Sequence, residues 1–316
     1  MVAGAKASAA KAERGARKAA AWAQDQAAAA KAWASGMTQR AVSTAKNVGD
    51  TAHALGVALI GTARLFEELP LGTGCLQCKL AALLRPQMTG EQAREALPYA
   101  KLATAAYGGD DGLPPGWKPV DPKSVKGLEK AIFNDSTTNF GARLFESPDG
   151  RMALAFKGTD PTSMADLEAD AHQGFGGVPV QYQQADELAA NVAAVYGAEN
   201  VQLVGHSLGG GLASYAGLRN GLAVKSFNGA GLSTGARANI GPELYARNSG
   251  NITNYNAIGD LVSDPAPLVA PGTPLGLDAE QPGTKLFFDS PGRGPVTKHM
   301  MSTGVLPGLE AAGAAP

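Results

Sequence analysis

The sequence predicts an α/β fold, with a mostly parallel central sheet covered by helices on both faces, preceded by an Ala-rich helical N-terminal extension. Three observations predict it. From about residue 91, strand-like runs alternate with stretches of helical spacing, the order expected of a mostly parallel sheet. One run, "VQLVGHS", passes straight into "LGGGLASYAGLRN", a strand meeting a helix across a glycine-rich bend. Before residue 91 the composition changes to alanine and lysine, with no strand-like runs. The domain boundaries read from this are 1–90 for the extension and 91–316 for the α/β domain.

Residues 1 to about 66 are read as helix because alanine has the best intrinsic helix propensity, with Gly15, Gly36 and Gly49 as punctuation. Trp22 and Trp33 are eleven residues apart, which returns them to within about 20° on a helix. The first fifty residues carry eight Lys/Arg against three Asp/Glu, whereas the whole chain has a formal net charge of -1. The bland reading is a helical arm packing a weak apolar stripe on the main domain. The functional one is a basic surface that lies on anionic membrane or docks a delivery partner; disorder is the third. Cys75 and Cys78 follow as the only cysteines, in a C-x-x-C pair. Zinc wants four ligands and no second pair exists, so a structural thiol pair is expected, oxidised in an oxidising compartment.

The α/β region is read element by element. "TGEQAREALPYAKLATAAYG" is a helix N-capped by Thr89. "ARLFES" and "RMALAFKGT" flank "PDG" as a hairpin, and Leu188, Val192 and Val195 recur at helical spacing in "PVQYQQADELAANVAAVYG". "AVKSFNGAG", "ITNYNAIGD" and "KLFFDS" complete the strands. No nucleic-acid partner is indicated by the near-zero net charge. No secretory leader is recognisable, and the apolar run 54–63 is too short to span a bilayer, which takes about 20 residues. The expectation is a soluble protein, or one exported without a cleavable signal peptide.

Gly205-His206-Ser207-Leu208-Gly209 is a G-x-S-x-G sequence in the strand–turn–helix context that this motif requires. Small neighbours let the backbone turn sharply and push the Ser207 hydroxyl out above the sheet. Gly209, Gly210 and Gly211 would each weaken a helix interior by about 1 kcal/mol, so close packing is the better reason for them. The alternative without chemistry is a glycine-rich structural turn. A serine nucleophile needs a base and an orienting acid, here in the chain order serine, acid, histidine. His299 is the only histidine after Ser207 and is placed in a loop past the last strand. Among Asp260, Asp264, Asp278 and Asp289, Asp260 is chosen because it directly follows a strand, with Asp264 the runner-up. His206 is read as structural, since its side chain should diverge from Ser207. The oxyanion is assigned to the Leu208 amide and to Thr159, which ends the strand of "LAFKGTD". No metal or cofactor is called for.

At these residues the chain resembles the class 3 lipase family of α/β-hydrolases. The matching pieces are "AFKGTD", "DAHQGF", "VQLVGHSLGGGLA" and "NAIGDLVSD", followed by His299, and they cover roughly residues 95–305 in the family's order. The resemblance implies an α/β-hydrolase fold and ester hydrolysis on acylglycerols or phospholipids without a metal. It implies Ser207 as nucleophile, Asp260 as acid, His299 as base and Thr159 as oxyanion residue. Lys157 stands where the family often has arginine, and "PTSMADLEAD" at the lid position is poor in large apolar residues, which predicts weak interfacial activation. A helical, leaderless extension before such a domain is similar to bacterial type VI secretion lipase effectors. That implies a secretion apparatus and an immunity protein as partners, cytoplasmic residence before export, and action in a target-cell periplasm. The competing functions are a small-ester esterase or acyltransferase using the same triad, and a catalytically idle membrane-binding delivery module.

Overall fold

A computed structural model describes residues 85–159, 180–260, 262–264 and 279–314. The expectations for the N-terminal extension, Cys75 and Cys78, "PTSMADLEAD", "DAHQGF" and Asp278 fall outside these residues. Helix α1 (Gly90–Ala105) begins in a capping box. The Thr89 hydroxyl accepts from the Gln92 amide at 3.2 Å, while the Gln92 side chain accepts from the Thr89 amide at 2.9 Å. The strands β1 (Lys118–Val120), β2 (Asn134–Asp135), β3 (Phe140–Glu146) and β4 (Met152–Phe156) follow. The expected hairpin is β3–β4, antiparallel with Glu146 opposite Met152, and Gly150 in its turn has φ +83°.

From β4 the pattern becomes parallel. Helix α2 (Val180–Tyr196) leads to β5 (Val201–His206), then α3 (Leu208–Asn220) to β6 (Ala223–Phe227). The short helices α4 (Thr234–Ile240) and α5 (Pro242–Asn248) precede β7 (Ile252–Ala257), and β8 (Thr284–Phe288) is the last strand described. The strand order is β1-β3-β4-β5-β6-β7-β8, with β2 on β3, and β4 to β8 are mutually parallel. Beyond β8 the segment before α1 continues the edge: the Phe287 amide donates to the Pro86 carbonyl and the Met88 amide to the Phe287 carbonyl, both at 2.9 Å.

Alternation along β5 shows why both faces need helices. Leu203 joins a core with α2 and α3 (Leu188, Val192, Leu212), while its neighbour Val204 joins Leu102 and Ala105 of α1 on the other face. Successive strand residues point to opposite faces, so a strand buried throughout reads as a continuous apolar run. Helix α3 is buried from Gly209 to Leu218 and stops at Gly221, a left-handed cap with φ 70°. After β8 come α6 (Pro295–His299), a π-helical turn over Met301–Val305, and α7 (Leu306–Ala314), which packs with α1 through Leu309, Ala96 and Ala100. No helix among the described residues is long and apolar enough to cross a membrane.

Candidate active site

Ser207 lies in the bend between β5 and α3, with φ 58° and ψ −128°. Side chains other than glycine's rarely adopt a positive φ, so this conformation is strained and must be held from outside. Besides the first-turn bonds from the Gly210 and Gly211 amides, two backbone bonds from outside α3 hold it: the Ser207 amide donates to the Phe227 carbonyl at 3.2 Å, and the Ala230 amide donates to the Ser207 carbonyl at 2.9 Å. The glycines make the bend sterically possible. A Cβ at Gly205 would stand 2.1 Å from the Gly209 carbonyl oxygen, and one at Gly209 would stand 2.3 Å from the Phe156 carbonyl oxygen. Gly158 is pinned likewise, because its Cβ would meet the His206 carbonyl oxygen at 2.6 Å and the Ser207 Cβ at 3.3 Å. The Lys157-Gly158-Thr159 turn at the end of β4 therefore presses directly on the serine bend. Leu208 opens α3, so its amide is in the first turn of the helix, where backbone N–H groups lack intrahelical acceptors.

Asp260 and His299 meet from two other elements. Asp260 follows β7, and His299 is the last residue of α6 rather than part of the open loop expected from "SPGRGPVTK". Pro295 at the helix start explains the difference, since its fixed φ suits the first helical turn. Both side chains are fully buried, and His299 Nδ1 is 2.8 Å from Asp260 Oδ2. Asp260 Oδ1 accepts from the amides of Val262 (3.0 Å) and Ser263 (2.6 Å) and from the Ser263 hydroxyl (2.7 Å). Burial pushes the Asp260 pKa up, but the His299 imidazole and its hydrogen bond, with those from Ser263, outweigh it and leave it below 3.8. The carboxylate is thus ionised at neutral pH and requires a proton on His299 Nδ1. That tautomer leaves Nε2 with its lone pair. Ser207 Oγ and His299 Nε2 are both buried and have no hydrogen-bond partner. Leaving such a group unpaired costs about 1–3 kcal/mol.

Of the other candidate acids, Asp264 and Asp289 are among the described residues. Asp264 is buried and accepts from the Gly259 amide at 2.8 Å and from Arg85. Asp289 is exposed at the end of β8. Sequence reasoning missed four residues that build the site's support. Asn228, with φ 43°, donates to the Lys298 carbonyl at 3.0 Å and the His299 carbonyl at 3.3 Å, and its Oδ1 accepts from the Ala257 amide at 2.8 Å. Lys298 Nζ donates to the Ile258 carbonyl at 2.7 Å. Ser263 and Arg85 hold the acid loop from two sides. The Asn228-Gly229 pair after β6 was the available signal, because Asn-Gly marks a left-handed residue in a turn.

A family model described as phospholipase-like, the Tle-like phospholipase domain, matches residues 98–266. The chain belongs to this family. The matched span holds Thr159, Ser207, Leu208 and Asp260, while His299 lies beyond it. A Serratia liquefaciens protein named extracellular phospholipase A1 is 34% identical over 141 residues, which cover 43% of this chain and 43% of that relative. The chain therefore spans less than half the length of that curated relative. Two solved structures are similar at low identity. The Rhizomucor miehei lipase propeptide complex gives a TM-score of 0.43 at 17% identity, covering 64% of this chain and 70% of that one. A mutant form of MDLA from Penicillium cyclopium gives 0.45 at 19% identity, covering 66% and 83%. Members of the Tle-like phospholipase family are lipase-like α/β-hydrolases, and the parallel sheet with its covered faces is that fold.

Proposed function

We propose that the chain is a serine-dependent phospholipase or lipase that hydrolyses carboxylic ester bonds of lipids. The observation that carries this is the buried Asp260–His299 hydrogen bond together with a strained Ser207 whose buried hydroxyl has no partner. In this reading Ser207 Oγ attacks the ester carbonyl while His299 Nε2 takes its proton. Asp260 stabilises the imidazolium without itself being protonated. The Leu208 and Thr159 amides donate to the oxyanion. The imidazolium then protonates the departing lysolipid or glycerol oxygen, leaving an acyl-Ser207 ester. Water, deprotonated by His299, attacks that ester, and the fatty acid leaves as the serine regains its proton.

Residues 91–316 form the catalytic domain and 1–90 a separate extension in this proposal. The relative's name, extracellular phospholipase A1, supports action outside the producing cell; delivery by a secretion apparatus, with an immunity protein as counterpart, is the finer form. The test is product analysis on mixed phospholipids and triglycerides with the parent and Ser207→Ala. The parent should release fatty acid, and Ser207→Ala should lose about 10³-fold or more in kcat while keeping its unfolding temperature. A variant as active as the parent on lipid and on short nitrophenyl esters would refute the reading.

A further inference from the structure

The residue before the nucleophile is buried and has a partner at each ring nitrogen. His206 Nδ1 is 2.9 Å from the Tyr107 hydroxyl, and Nε2 is 2.8 Å from the backbone carbonyl oxygen of His299. A carbonyl can only accept, so Nε2 carries a proton and donates it. In the neutral ring Nδ1 is then the acceptor for the Tyr107 O–H. Burial, and after it the nearby His299, push the His206 pKa down from 6.5 to about 3, so the ring is neutral wherever the site operates. The two imidazole rings are 4.7 Å apart at 39°. A neutral ring there adds no repulsion to the charge that forms on His299 during turnover.

The same carbonyl has a second donor in Asn228 Nδ2, at 3.3 Å. His299 is therefore held twice through its backbone, from the serine bend and from the end of β6, in addition to the Asp260 bond on its side chain. The covalent neighbour of the nucleophile itself carries one of these grips. The serine bend and the backbone of the base are therefore joined directly by a hydrogen bond.

We propose that His206, with Asn228, is a positioning residue for the base: a strut between the Tyr107 hydroxyl and the His299 carbonyl that fixes where the imidazole stands relative to Ser207. The proposal rests on the serine-hydrolase reading above. It goes beyond the general base and acid, because His206 and Asn228 reach His299 through its backbone carbonyl and not through the reacting ring nitrogen.

Three variants of the full chain test it, with steady-state turnover of a short-chain nitrophenyl ester and thermal unfolding measured for each. His206→Leu removes the donor to the His299 carbonyl and should lower kcat about 10–100-fold with KM within about threefold, as expected for a base misplaced by a fraction of an ångström to an ångström. His206→Gln can place an amide N–H where Nε2–H stood and should recover most of that loss. Tyr107→Phe removes only the hydroxyl that fixes the ring and should lower kcat severalfold. Equal kcat for His206→Leu and His206→Gln, or an effect confined to KM, overturns the proposal. If His206→Leu does not fold, Tyr107→Phe decides, and parental kcat in that variant overturns it. Failure of the strut leaves turnover dependent on Ser207; turnover that survives Ser207→Ala overturns the underlying reading and the strut together.

Discussion

Two carboxylates hang from the one loop after β7, and their partners separate them. Asp260 Oδ2 faces the His299 imidazole, whereas Asp264 is bound by Arg85 and the Gly259 amide. Asp260→Asn keeps the shape but removes the charge that stabilises the imidazolium, and it can place a donor where Nδ1–H needs an acceptor. Turnover should fall about 10³–10⁴-fold with modest change in unfolding temperature. Asp264→Asn should do the reverse. It leaves the largely buried Arg85 guanidinium without its carboxylate, which costs about 3–5 kcal/mol when a buried pair is broken on one side, while the folded fraction loses far less kcat than Asp260→Asn because the Asp260–His299 contact itself is kept. Denaturant midpoints and active-site-titrated kcat, measured together, separate the two; a matching loss of kcat in both variants would show that the split of roles is wrong. Asp260 stood out in the sequence because it follows the strand-like run "ITNYNAI". The job of Asp264 did not, because its partner Arg85 is 179 positions away in sequence.

At the level of elements, the glycines of α3 should not be equivalent. A Cβ at Gly209 would be 2.3 Å from the Phe156 carbonyl oxygen, and one at Gly210 would be 2.6 Å from Ser226 Oγ and 2.8 Å from the Gly229 Cα. Backbone cannot yield there without opening the β4–β5–α3 junction. At Gly211 the nearest atoms are the Tyr182 hydroxyl at 3.0 Å, the tip of a side chain, and the Ala230 carbonyl oxygen at 3.2 Å, a milder approach than at Gly209 or Gly210. Overpacking costs about 1–3 kcal/mol, and Gly→Ala in a helix returns about 1 kcal/mol. Gly209→Ala and Gly210→Ala should therefore lose stability, and Gly211→Ala should be near neutral. Chemical denaturation checks the ranking, and a Gly211→Ala loss as large as that of Gly209→Ala would contradict it. The sequence made this helix, β5 and the β3–β4 hairpin readable because apolar runs and a glycine cluster are local signals. The five-residue α6 and the edge contacts of Pro86 and Met88 on Phe287 were not readable, since too few residues carry them and their partners are distant in the chain.

For the whole molecule, the polar chain from the half-buried Tyr107 through the buried His206 and His299 to Asp260 ties folding to pH. His206 has its pKa lowered to about 3 in the fold against 6.5 as the reference. Between those values the unfolded chain binds a proton that the folded chain refuses, so stability falls as pH falls. The slope is up to about 1.4 kcal/mol per pH unit, and between pH 6.5 and 4.5 this one residue removes roughly 2–3 kcal/mol. Asp260 acts in the same direction at lower pH. Its folded-state pKa lies below 3.8, so its contribution is present above that value and is lost as pH falls through the lowered one. The groups facing His206 are Tyr107, His299 and Asp260. Urea unfolding of the Ser207→Ala chain at pH 7, 5.5 and 4.5 isolates this effect from turnover. Adding His206→Gln, whose amide does not titrate, should flatten the dependence by about 2–3 kcal/mol over that range. Parallel curves with and without the substitution would mean that His206 takes up protons equally in the folded and unfolded chain, and would overturn the lowered pKa.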